Sequence, residues 1–72
     1  MTRQQYRVLQ YMEDFGSITP MEAFTELGIT KLATRISEIR SMKLPIEIRK
    51  ERETAKNRYG ESVCYMRYYL EG

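Results

Sequence analysis

Nine basic residues (Lys31, Arg35, Arg40, Lys43, Arg49, Lys50, Arg52, Lys56 and Arg58) fall in one stretch of this 72-residue sequence, together with four acids, Glu38, Glu47, Glu51 and Glu53. The stretch carries +5 and the rest of the chain −3, an asymmetry hidden in an overall charge of +2. Positive charge gathered in one segment of a small protein suits an anionic partner; the alternative use is an ordinary solvated face. The chemistry of catalysis is sparse by comparison. There is no histidine, Asp14 is the only aspartate, and Cys64 is the only thiol. Glutamates alone can move protons, but they need a pocket that shifts their pKa, and a core this small has little room for one. The expectation is a protein that is not an enzyme. One thiol without histidine also supplies too few soft ligands for zinc, so no metal and no cofactor is expected. A lone cysteine closes no loop within the chain, and with five methionines it fits a reducing cytoplasm. No run of about 18 apolar residues occurs, so no membrane span is expected, and Met1-Thr2-Arg3-Gln4-Gln5 lacks the apolar core of a signal peptide.

The elements that must hold these charges are legible from caps and periodicity. Thr2 with Gln5 has the spacing of a capping box. Val8, Leu9, Met12 and Phe15 then share one face, and Gly16 supplies a left-handed stop, so a helix spans about 3–15. Ser17-Ile18-Thr19 reads as a short extended link with Ile18 turned inward. Thr19 as N-cap, Pro20 at the first helical position and Glu22 as the second half of a capping box start another helix at 20, with Ala23, Phe24 and Leu27 buried and Gly28 ending it. Thr30 reads as the N-cap of a third helix over about 31–42, whose inner face is Leu32, Ile36 and Ile39; Leu44 before Pro45 cannot continue it. The period then changes to alternation. Strands are expected over about 46–52 and 63–70, joined by the turn-forming Lys56-Asn57-Arg58-Tyr59-Gly60. Antiparallel pairing about Asn57 sets Ile46 opposite Tyr68 and Ile48 opposite Met66. Cys64, Met66, Tyr68 and Leu70 then form the inner face, with Cys64 a small buried hydrophobe.

The whole chain, 1–72, is expected to be a single α+β domain: a three-helix bundle followed by a two-stranded β-hairpin wing. At this point the sequence resembles a family of small winged helix-turn-helix domains common in phages and prophages. The stretches that carry the likeness are Val8-Leu9-Gln10-Tyr11-Met12, Gly16-Ser17-Ile18-Thr19-Pro20-Met21-Glu22-Ala23, Leu27-Gly28-Ile29, Leu32-Ala33-Thr34-Arg35-Ile36-Ser37-Glu38-Ile39-Arg40 and Tyr65-Met66-Arg67-Tyr68-Tyr69-Leu70. The resemblance implies a DNA-binding fold. There are two departures: Phe24 and Thr34 stand where the general bacterial helix-turn-helix has a small and an aliphatic residue, and the link Met42-Lys43-Leu44-Pro45 has no glycine where the family often does.

In a winged helix the third helix enters the major groove with its outward N-terminal residues toward base edges. Here these are Thr30, Lys31, Thr34, Arg35 and Glu38. Lys31 and Arg35 match guanine acceptors or phosphates, and Glu38 a cytosine amino group. In the wing, Arg52, Lys56, Asn57 and Arg58 are expected on the phosphate backbone or minor groove. The expected function is a non-enzymatic double-stranded DNA-binding protein, a phage or prophage transcriptional regulator or an excisionase-like architectural factor. A single domain offers little interface, so a homodimer or side-by-side copies on DNA are expected, with the Val63, Tyr65, Arg67, Tyr69 face as candidate contact. The alternative is a protein–protein interaction module that inhibits a host protein such as a nuclease or polymerase, since the fold alone does not establish DNA binding.

Overall fold

The computed structural model describes residues 1–71. Helix α1 (Arg3–Phe15) opens as its sequence predicts: Thr2 Oγ1 accepts from Gln5 N–H at 3.2 Å, and Gln5 Oε1 accepts from Thr2 N–H at 2.9 Å. It ends where Gly16 takes φ 86°, a conformation costly to any residue with a Cβ. Strand β1 (Ser17–Ile18) leads into α2 (Pro20–Leu27), whose capping box joins Thr19 and Glu22 at 3.2 and 3.0 Å. A cap of this kind contributes about 1 kcal/mol, appreciable for an eight-residue helix that would not persist alone. Gly28 closes α2 at φ 69°, and Ile29 N–H reaches back to the Ala23 carbonyl at 3.0 Å.

Helix α3 (Leu32–Ser41) starts one residue later than expected. Its N-cap is Lys31, with no side-chain capping bond, so Thr30 is not the cap. Strands β2 (Glu47–Lys56) and β3 (Ser62–Glu71) are both longer than the sequence suggested. The link between α3 and β2 turns through Lys43 at φ 56°. A lysine thus takes a left-handed backbone that a glycine would adopt freely.

The core joins α1 (Val8, Met12), β1 (Ile18), α2 (Ala23), the α2–α3 turn (Ile29), α3 (Leu32, Ile36, Ile39) and the sheet (Ile48, Tyr68). Each large aliphatic side chain buried there adds roughly 1.5–3 kcal/mol. Phe15 and Phe24, both expected on buried faces, are 69% and 58% exposed. Phe15 instead stacks on Tyr11, with centroids 4.6 Å apart.

The expected two-stranded hairpin is present as β2–β3, but the sheet has a third strand, because the link Ser17–Ile18, expected only as an extended connection, pairs with β3 in the order β1-β3-β2. Ser17 and Ile18 pair with Tyr69 and Tyr68; two residues are too few to show alternation in sequence. The β2–β3 register also differs. Ile48 lies opposite Leu70, and Met66 opposite Arg52. The hairpin turns about Tyr59, two residues later than expected, because Asn57 closes it: Asn57 Oδ1 accepts from Tyr59 and Glu61 N–H at 2.9 and 3.0 Å, and Asn57 N–H donates to the Glu61 carbonyl at 2.9 Å. Moving the pivot by two shifts the pairing by four, an even number, so every side chain keeps its expected face. Cys64 does not become buried. It pairs with Thr54 beyond the end of the core and is exposed.

A ten-residue strand is about 33 Å long, which is why the molecule measures 41 × 22 × 20 Å. The distal half of the β2–β3 ribbon projects from the core.

Candidate nucleic-acid interface

Two surfaces bear on the basic segment: the outer side of α3 and the ribbon. With Leu32, Ile36 and Ile39 buried, α3 turns Ala33, Thr34, Ser37 and Arg40 to solvent. These are small or long and flexible side chains, so another surface can approach the backbone closely. Lys31 stands exposed at the uncapped N-terminus, where the helix dipole favours an anion.

On the ribbon the charges sort by pleat. Side chains alternate between faces, and buried Ile48 fixes which face belongs to the core side. On that face follow Lys50, Arg52, Thr54 and Lys56, opposite Tyr68, Met66, Cys64 and Ser62. It therefore holds three cations and no carboxylate, and none of the three is in an ion pair among the described residues. The other face holds Glu47, Arg49, Glu51 and Glu53, opposite Glu71, Tyr69, Arg67 and Tyr65. Its two arginines are engaged. Arg49 bonds Glu51 and Glu71 and lies 4.4 Å over the Tyr69 ring. Arg67 bonds Glu53 at 2.9 Å and Ser17 at 3.0 Å, and lies 3.7 Å from Glu22. The hydrogen bond from Arg67, then that from the Tyr65 hydroxyl, lowers the Glu53 pKa below the ordinary carboxylate value.

The unpaired cations continue onto α3. A hollow of about 260 Å³ between them is lined by Ala33, Ser37, Arg40, Lys50 and Tyr68. Arg40 and Lys50 thus meet across the hollow, and Arg52 follows Lys50 along the same ribbon face, giving a run of cations from helix to ribbon.

A family model described as a winged helix-turn-helix domain matches residues 3–71. The chain belongs to that family. No curated protein and no solved structure matches it. A winged helix-turn-helix domain suggests DNA binding, with α3 as the second helix of the helix-turn-helix and the β2–β3 ribbon as the wing.

Within this winged domain the residues singled out from sequence separate into two groups. Thr34 on α3, Thr30 and the N-cap Lys31 just before it, and Arg52, Lys56 and Arg58 on the wing are exposed. Arg35, Glu38 and Asn57 have structural engagements. Gln5, 5% exposed, donates from Nε2 to Glu38 Oε1 at 2.8 Å, and Arg35 lies 3.2 Å from the same oxygen. Arg35 and Glu38 therefore pack toward α1, off the outward face, and Arg35 Nε is enclosed without a hydrogen-bond partner. Asn57 spends its side chain on the turn, its Nδ2 donating to Glu61 at 3.1 Å. The helical period puts Ser37 on the outer face of α3 and Arg40 at its margin, but neither of them, nor Lys50, is among the residues expected to contact DNA. The signal for Lys50 was present: Lys50-Glu51-Arg52-Glu53 alternates in sign with the period of a strand.

Among the described residues no helix is long and apolar enough to cross a membrane.

Proposed function

We propose that the protein binds double-stranded DNA with the outer face of α3 in the major groove and the core-side face of the wing on the phosphate backbone. Lys31 and Thr34 meet base edges or phosphates near the start of α3, and Ser37 and Arg40 extend the contact. Lys50, Arg52 and Lys56 follow the backbone along the ribbon, with Arg58 at its tip; Arg35 and Glu38 hold α3 in position. It acts by occupancy, without catalysis, in the cytoplasm of a bacterial host, as a phage or prophage transcriptional regulator or an excisionase-like architectural factor. The observation that carries the reading is the sorting of ribbon charge, which leaves three cations unpaired on the one face continuous with α3. The phage assignment rests on the likeness of the GSITPMEA and ATRISEIR strings to phage and prophage domains.

A salt titration with random-sequence duplex tests it. Micromolar binding at low salt is expected, its affinity falling on a log–log plot with a slope of about −0.9 per phosphate contacted. Absence of binding at low salt would overturn the reading. The interaction-module alternative would then be favoured by a host protein retained from nuclease-treated lysate.

A further inference from the structure

A wide unpartnered apolar surface lies between α2 and the wing, mainly on the side away from Lys50 and Arg52. Pro20, Met21 and Phe24 of α2 and Ala55, Val63 and Tyr65 of the ribbon line a groove of about 780 Å³. Met21, Phe24 and Val63 are 70%, 58% and 41% exposed, so three large apolar side chains meet water together. Clustered exposure of this kind marks an interaction site. Lys56, with no carboxylate partner, stands at the rim.

The same chain carries a shape that suits it. Phe15, 69% exposed, stands on Tyr11 at the C-terminal end of α1 as an aromatic knob. The hollow beside Tyr11 holds Arg7, bonded to Gln10, as well as Asp14. Asp14 borders Tyr11 and forms no ion pair among the described residues, and the helix end adds its own partial negative charge. The Tyr11 pKa is raised by burial first, then by the nearby Glu22 and Glu26. The groove is also lined by Glu22 and Arg67, which lie 3.7 Å apart, so its unpaired charge is Lys56, and Asp14 beside the apolar knob is opposite in sign to it.

We propose that a second copy of this chain docks in the groove between α2 and the wing, inserting Phe15 stacked on Tyr11 and setting Asp14 against Lys56. Val63 and Tyr65 make the contact; Arg67 and Tyr69, which share their strand face, are held by Glu53 and Arg49 instead. Lys50 and Arg52 lie on the opposite face of the ribbon and stay open, whereas Lys56, at the far end of that basic face, reaches the groove and is shared by the two contacts. The proposal does not depend on DNA binding, and its test contains no DNA.

Sedimentation velocity over a concentration series reads the association directly. The parent is expected to form dimers or larger species that weaken as salt rises. Phe15→Ser in the knob and Phe24→Ser in the groove, both at exposed positions, should each weaken association about tenfold or more while leaving the thermal transition in place. Mixing the two variants should restore a dimer, since one still offers a groove and the other a knob. In the charge test, Asp14→Lys should weaken association and Asp14→Lys with Lys56→Glu should recover it. A monomeric parent, association indifferent to Phe15→Ser, or a mixture that stays monomeric would overturn the proposal.

Discussion

Lys31 and Arg35 are both cations near the start of α3, and the structure gives them different work. Lys31 is exposed and unpaired, whereas Arg35 is tied to Glu38, which Gln5 holds from α1. Lys31→Ala is therefore expected to weaken duplex binding with almost no change in melting temperature. Arg35→Ala should lower the melting temperature as well, because it removes a side-chain stem packed beside the apolar stripe and releases Glu38. Paired thermal melts and duplex titrations check the contrast. Equal melting temperatures for the two variants would mean that the Gln5–Glu38–Arg35 chain does not steady α3.

At the scale of the element, the wing is a ribbon whose two faces differ in charge, and the phosphate reading concerns one of them. Lys50→Ala with Arg52→Ala should weaken binding to every duplex by a similar factor and flatten the salt dependence by about 0.9 per lost contact. On the opposite face, Glu51→Ala leaves those cations untouched, so the slope should stay at the parent's value. A slope unchanged in the Lys50 and Arg52 double variant would remove the ribbon's stem from the interface and leave only its tip. Much of this element was legible in the sequence. Alternation identified both strands and assigned their faces correctly. The turn centre was missed because Lys56, Asn57, Tyr59 and Gly60 all suit a turn, and only the backbone geometry decides that Asn57 caps it from its first position.

Across the whole molecule, Arg67 joins three elements: Glu53 on β2, Ser17 on β1 and Glu22 on α2. Since that contact depresses the Glu53 pKa, folding binds fewer protons there than the unfolded chain does. The resulting stability is complete above the ordinary glutamate value of about 4.3 and is lost as the pH falls through the lower folded-state value. Glu53→Gln should accordingly melt lower than the parent at neutral pH, and the gap should narrow as acid protonates Glu53 in the parent. A gap that stays constant with pH would assign the effect to packing alone.

Local chemistry determined what lies within a few residues of itself. The capping boxes of Thr2 and Thr19, the left-handed stops at Gly16 and Gly28 and the stripe of Leu32, Ile36 and Ile39 each depend on side chains and backbone no more than one or two turns apart, so spacing alone identifies them. The tertiary structure decided what depends on distant neighbours. Ser17-Ile18 became a strand because Tyr68 and Tyr69 arrive beside it from about fifty residues away. Phe24 remained exposed and Cys64 came to lie in solvent because the core ends before it reaches them. Arg35 and Glu38 turned from the outer face to α1 because Gln5, whose Oε1 is taken by the Thr2 cap, still has its Nε2 to donate there. Whether a polar group faces a partner or its own fold is set by how elements pack, and in this small domain a single buried glutamine separates the residues that steady the third helix from those it presents.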